Sequence, residues 1–229
     1  MKNYKYVFFD FDGTLFDTSE GVFNSFDKVV EHYGLNIPDK SVYNTMIGPP
    51  LRESFTRVFH LPERELVPAM EVYRKNYIAS GMFQVKVYAG ITELVKALRK
   101  SGRKVFVATS KPEPFAKQIL ERQEMLEMFD FVGGSDMEEA GRVNKVDVIR
   151  YVLEEQGLED KKDECVMIGD THFDIEGAKA AGIDSIGILY GFGSRSELEE
   201  CGANYIEETV HDAGRLLLGD FQGTGCKQD

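Results

Sequence analysis

Cysteine is scarce in this chain: Cys165, Cys201 and Cys226 are the three among 229 residues. They stand far apart, which offers neither an even disulfide framework nor the paired spacing of a zinc site, so reduced thiols in a cytoplasm are expected. Histidine is equally thin. His32, His60, His172 and His211 are scattered, so no histidine cluster is expected, and His172 reads as a surface or packing residue although it sits inside an acidic motif. Long apolar runs are missing, for no stretch approaches the roughly 18 residues of a membrane span. The segment Met1 to Phe11 turns charged at Asp10 before such a run develops, so neither export nor anchoring is expected. Basic residues are outnumbered, with 27 Lys and Arg against 39 Asp and Glu and a net charge of −12. General nucleic-acid binders cluster Lys and Arg to displace counterions, and this balance argues against that class. A small anionic substrate stays compatible, since a local positive pocket or a bound cation can receive it. No internal repeat is visible, and residues 220–229 lack apolar spacing and read as a disordered tail.

What is present is an alternating pattern. Short apolar runs occur at Tyr6-Val7-Phe8-Phe9, Val105-Phe106-Val107-Ala108, Phe129 to Val132, Val166-Met167-Ile168 and Ile186 to Leu189, the first four followed at once by Asp, Thr or Gly and the last by Tyr190 and then Gly191. Runs without polar alternation suit strands buried on both faces of a parallel sheet. Between them lie helical spacings. Ile91, Leu94, Val95 and Leu98 share one face with Gly102 past its end, and Val146, Ile149, Val152 and Leu153 share another that stops near Gly157. Strands alternating with helices predict an α/β fold with a doubly wound parallel sheet.

The stretch 19–87 breaks this alternation and reads as mostly helical, with apolar positions such as Val22, Phe26, Val29 and Val30. It is expected to be a helical domain inserted after the first strand, the core being 1–18 and 88–219. The other reading is that these helices simply cover the sheet. Phe23, Phe26, Tyr43, Phe55 and Phe59 are expected to form the core of the insertion.

Ligands of open parallel sheets sit beyond the carboxyl ends of the strands, so the residues after each run are the ones to inspect. After the first come Asp10-Phe11-Asp12-Gly13-Thr14. An extended chain puts Asp10 and Asp12 on one side, and two carboxylates there repel unless a cation or a shared proton compensates. The pair suits catalysis if one stays ionised as nucleophile while the other moves protons, though turn-forming acidic residues are a bland alternative. After the second run, Thr109 and Ser110 can hold phosphate oxygens or merely cap the next helix. After the fourth, Gly169-Asp170-Thr171-His172-Phe173-Asp174 adds two carboxylates to the same edge, which with Asp10 make a set of hard oxygen ligands suited to Mg²⁺; Asp174 can instead cap backbone. Lys145, just before a helical face, can offset the charge of Asp10 and a phosphate, with Lys111 as a rival cation. Arg52, beside Gly48-Pro49-Pro50-Leu51, is a candidate reader of the substrate's distal end, or a solvated side chain.

Asp10-Phe11-Asp12-Gly13-Thr14, Thr109, Lys145 and Gly169-Asp170-x-x-x-Asp174, in that order, resemble the four motifs of the haloacid dehalogenase superfamily. The resemblance implies a Rossmann-like core with an inserted helical cap and a magnesium-dependent phosphatase. In that scheme Asp10 attacks phosphorus and Asp12 serves as acid and then base. Thr109 and Lys145 hold the phosphoryl group, Asp10, the Asp12 carbonyl and Asp170 ligate the metal, and Asp174 supports the metal shell. Family members that are dehalogenases or phosphonate hydrolases lack an acid at the position of Asp12, so a phosphate ester is implied. The place of the insertion and its Gly-Pro-Pro-Leu segment resemble phosphoglycolate phosphatases and 5′-nucleotidases, and Val22 stands where β-phosphoglucomutase carries a His, which weakens a phosphomutase. Val146 after Lys145 departs from the commoner Lys-Pro form. The expected partner is a small phosphomonoester, and the expected state a monomer or weak dimer.

Overall fold

The computed structural model describes residues 2–137 and 141–221. The chain runs β1 Tyr6–Phe9, β2 Phe16–Asp17, α1 Ser19–Tyr33, α2 Leu51–Arg57, α3 Glu63–Ala79, β3 Lys86–Val87, α4 Ile91–Lys100, β4 Lys104–Pro112 and α5 Glu113–Arg122. It continues through β5 Phe131–Ser135, α6 Lys145–Glu155, β6 Cys165–Gly169, α7 His172–Ala181, β7 Asp184–Ile188, α8 Arg195–Glu200, β8 Tyr205–Glu207 and α9 Val210–Leu218.

Among the described residues, six strands form one sheet in the order β5-β4-β1-β6-β7-β8, every pair parallel. Chain order reverses between β1 and β6, the switch point at whose carboxyl ends ligands of such sheets bind. Phe8, Phe106 and Met167 pack with Val148, Ile149, Val152 and Leu153 of α6 and Ala178 and Ala181 of α7. Their neighbours Val7, Phe9, Val105, Val107, Val166 and Ile168 are buried too, so the sheet is covered on both faces, which explains runs with no polar alternation. The structure is α/β, as expected.

Two compact units are distinguishable, Met1–Phe16 with Val87–Asp229, and Asp17–Lys86. The second is helical. Phe26 is buried there among the rings of Tyr43, Phe55, Phe59 and Tyr73, while Phe23 is only half-buried at the edge of Tyr43. Aromatic rings that meet edge to face bury large areas, so a short helical stretch can hold a core of its own.

Several boundaries differ from the pattern-based ones. β4 continues through Thr109 and Ser110 to Pro112, so those residues lie on the strand and do not cap α5. β5 begins at Phe131 and not Phe129, because the residues before it form a short 3₁₀ turn, and Val148 takes the buried position on α6 while Val146 is only partly buried. β8, with three half-buried residues, has no apolar run to reveal it. The tail beyond 221, with Cys226, lies outside the described residues. No helix among those described is long and apolar enough to cross a membrane.

Candidate active site

β1 ends at Phe9, paired with Ile168 of β6, and the backbone N–H of Asp10 donates to the Ile168 carbonyl at 2.9 Å. Asp10 and Asp170 thus leave neighbouring strands at the switch point, from residues 160 positions apart in the chain. Asp174 joins them because α7 starts at once after β6. The Thr171 N–H and hydroxyl both donate to Asp174 Oδ2, at 3.1 and 3.0 Å, closing the first turn of the helix. That leaves Asp174 Oδ1 to turn elsewhere, and it meets the Lys145 ammonium at 2.9 Å. The same ammonium lies 2.5 Å from Asp10 Oδ1 and donates to the Ala108 carbonyl at 3.2 Å. Lys145 is the first residue of α6 and is buried. Capping backbone and meeting a cation are therefore both done by Asp174, one oxygen each.

Asp10, Asp170 and Asp174 offer carboxylate oxygens within 4.8 Å of one another, all buried. Burial pushes the Asp10 carboxyl up to about 7, with the nearby Asp174 charge adding to the push and Lys145 opposing it. Burial, followed by the charges of Asp174 and Asp10, holds Asp170 well above the usual carboxylate range. Burial disfavours a charged Lys145, but Asp10 and Asp174 outweigh it and raise its pKa. One ammonium facing three buried carboxylates is an incomplete balance, and hard oxygen donors with surplus negative charge fit a divalent cation such as Mg²⁺.

Asp170 is the most tightly held member. Thr14 Oγ1 donates to its Oδ1 at 3.1 Å and the Phe192 N–H to its Oδ2 at 2.7 Å. Gly13 turns with φ +78, and a Cβ there would lie 2.1 Å from Asp170 Oδ2; a Cβ on Gly193 would lie 1.9 Å from the Asp170 carbonyl oxygen. Only glycine lets the one loop close on the Asp170 carboxylate and the other on its backbone carbonyl. Gly13→Ala is expected to weaken divalent-cation binding by about 10- to 100-fold, as groups that orient a ligand do when lost. Calorimetric titration with Mg²⁺ checks this, and unchanged affinity would remove the glycine from the account.

The sequence-derived candidates fall into three groups. Asp10, Lys145, Asp170 and Asp174 form the buried cluster. Asp12 and Thr109 stand beside it: the Asp12 carboxylate is not among the three clustered ones but lies 3.0 Å from Lys111 Nζ, and the Thr109 hydroxyl accepts from the Lys111 N–H at 3.1 Å, with Ser110 between them. Arg52 belongs to the helical unit, its guanidinium paired with Glu63. His172 packs on Phe173 and pairs with Glu197 through both backbone and ring. Thr14 and the Tyr190-Gly191-Phe192-Gly193 segment were not singled out. The second follows the apolar run Ile186 to Leu189, so the rule that located the other site residues would have located it.

Three carboxylates and a lysine are thus buried together at the switch point of a parallel sheet. The chain belongs to the haloacid dehalogenase-like hydrolase family, whose model matches residues 7–188. It is similar to a 5′-nucleotidase of Pseudomonas aeruginosa, 36% identical over 85% of this chain and 87% of the relative. It is also similar to the tyrosine-protein kinase PtkA of Mycobacterium tuberculosis, 32% identical over 93% of this chain and 72% of that one. A crystal structure of a predicted phosphatase from Clostridium acetobutylicum shares 40% identity and superposes with a TM-score of 0.90 over 95% of this chain and 99% of the other. The class of enzyme is a phosphoric monoester hydrolase.

Proposed function

We propose that the protein is a magnesium-dependent phosphatase that hydrolyses a small phosphomonoester through an aspartyl-phosphate on Asp10, with phosphoglycolate and nucleoside 5′-monophosphates as the leading substrates. The observation that carries this reading is the shared contact of Lys145 with Asp10 and Asp174, at 2.5 and 2.9 Å, inside a buried carboxylate cluster. A charged trio held this way costs folding energy and suits chemistry better than stability.

Asp10, Asp170 and Asp174, together with the Asp12 backbone carbonyl, would hold the Mg²⁺, which would supply neutralisation of the phosphate's negative charge. An Asp10 oxygen forms a bond to phosphorus as the ester bond breaks, and Asp12 gives its proton to the departing alkoxide. Asp12, now ionised, takes a proton from water as the water oxygen attacks phosphorus; the Asp10–phosphorus bond breaks, and orthophosphate leaves. Lys145 stabilises the phosphoryl oxygens beside Asp10, and Thr109 and Ser110 donate to them from the end of β4. The helical unit, residues 17–86, acts as a cap that selects the alcohol. The enzyme works alone or as a weak dimer in the cytoplasm.

Phosphate release from 2-phosphoglycolate, nucleoside 5′-monophosphates and hexose phosphates, with Mg²⁺ and with excess chelator, tests this. Release that disappears with chelator is expected. Release that survives chelation would remove the metal, and transfer between sugar phosphates exceeding release would make the protein a phosphomutase.

The acid–base state of the cluster has a further consequence. Asp10 titrates at about 7 in the fold and near 3.8 when unfolded, so between those values the folded state binds more protons. Metal-free stability therefore falls as pH rises from about 4 to about 7. Mg²⁺ binds the ionised carboxylates of the folded state and is expected to offset the fall. Thermal melts at pH 5 and 7.5, with and without Mg²⁺, read this out; a metal-free protein more stable at pH 7.5 than at pH 5 would contradict it.

A further inference from the structure

The site holds a second lysine that the scheme above leaves without a task. Lys111 Nζ lies 3.0 Å from Asp12 Oδ1, the two side chains 7% and 12% exposed, and the ammonium stands 5.6 Å from the centre of the Phe11 ring. Its placement follows from an irregularity in the sheet. Thr109 pairs with Gly134 of β5, but the next pair is Pro112 with Ser135, so Ser110 and Lys111 fall in a bulge. A bulge re-aims side chains, and the Thr109 hydroxyl pins this one by accepting from the Lys111 N–H. Lys145 meanwhile is committed to Asp10 and Asp174. The two cations thus divide the site, one on the nucleophile and one on the acid.

An acid that protonates a leaving oxygen must come within hydrogen-bond reach of it, which places Lys111 Nζ within roughly 6 Å of the ester oxygen, on the leaving-group side. A neutral alcohol offers an ammonium there only the weaker hydrogen bond of an uncharged acceptor. A leaving group with an anionic substituent one carbon from the ester oxygen does. We propose that Lys111 is a specificity-determining residue that selects phosphomonoesters whose leaving group carries a carboxylate or phosphate next to the ester oxygen. This rests on the assignment of Asp12 as the acid. The incoming anion competes with Asp12 for the Lys111 ammonium and draws it away, and the Asp12 oxygen is then free to face the ester. Selection by charge and release of the acid become one event, and a nucleoside 5′-monophosphate, whose ribose carbon bears no charge, forgoes it.

A matched pair of substrates isolates the effect: 2-phosphoglycolate and its neutral amide, 2-phosphoglycolamide, assayed with Mg²⁺. In the wild-type protein kcat/KM for the acid is expected to exceed that for the amide by about 30-fold, the size of a charge-assisted contact in a desolvated site. Lys111→Met is expected to bring the ratio near one, and Lys111→Arg to keep most of it. Because both substrates compete for the same active molecules, the ratio does not depend on how much of a variant is folded. A wild-type ratio near one, or a ratio unchanged in Lys111→Met, would overturn the role of Lys111 while leaving the phosphatase reading standing. Turnover of neither substrate, nor of any other phosphomonoester, would defeat the phosphatase reading itself and Lys111 with it.

Discussion

Asp10→Asn lowers kcat by about 10⁴-fold or more on every phosphomonoester, because no other group in the cluster replaces the lost nucleophile. The substitution is nearly isosteric, so the loss is expected with the fold intact. Asp10 is one of three buried carboxylates facing one ammonium, and burial with the Asp174 charge already holds its pKa up to about 7. Removing its charge relieves repulsion from Asp174 and Asp170, while Lys145 keeps its contact with Asp174 at 2.9 Å. Metal-free Asp10→Asn should therefore melt no lower than the wild type above pH 7. Steady-state kinetics and thermal melts on the same preparation separate the two effects. Turnover within tenfold of wild type would dismiss Asp10 as nucleophile, and a large fall in Tm would mean that its charge serves the fold.

Lys145→Met is expected to do the opposite to stability. It removes the ammonium that touches Asp10 and Asp174 and leaves both carboxylates buried, a change that typically costs about 3–5 kcal/mol. In a chain of this size such a loss corresponds to a fall in Tm of roughly 10 °C. Combining Lys145→Met with Asp10→Asn should recover part of it, since one of the two stranded charges is then absent and directly coupled residues do not add. The cycle is read by denaturant unfolding at pH 7.5 without metal. Strict additivity would mean that the ion pair carries no energy of its own. Phosphate release is lost in Lys145→Met as well, so only the stability cycle distinguishes a structural lysine from one retained for chemistry.

The doubly wound core was legible in the sequence for a physical reason. Strands covered on both faces need apolar side chains at every position, and Tyr6 to Phe9 or Val166 to Ile168 leave no polar alternation to misread. β8 escaped because its three residues are only half-buried at the sheet edge. The carboxylates were legible because ligand-binding residues follow strand ends, and Asp10, Asp170 and Asp174 do converge. Their partners were less so. That Lys145 bridges Asp10 and Asp174 depends on how α6 packs beside α7, a long-range arrangement that no spacing encodes. Lys111 appeared as a rival for the role of Lys145, whereas the bulge in β4 aims it at Asp12. Asp174 looked like either a cap or a metal-shell residue because one carboxylate has two oxygens and sequence cannot show that each is used separately.

The central claim is that the phosphoryl group passes through Asp10. Mixing the protein with Mg²⁺ and an active phosphomonoester, quenching in acid within a few turnovers and mapping the peptides by mass spectrometry tests it directly. The account predicts one added phosphoryl group on the peptide that contains Asp10, labile to base and absent from Asp10→Asn. A phosphoryl group on another residue, or a burst of alcohol release with Asp10 unmodified, would contradict it.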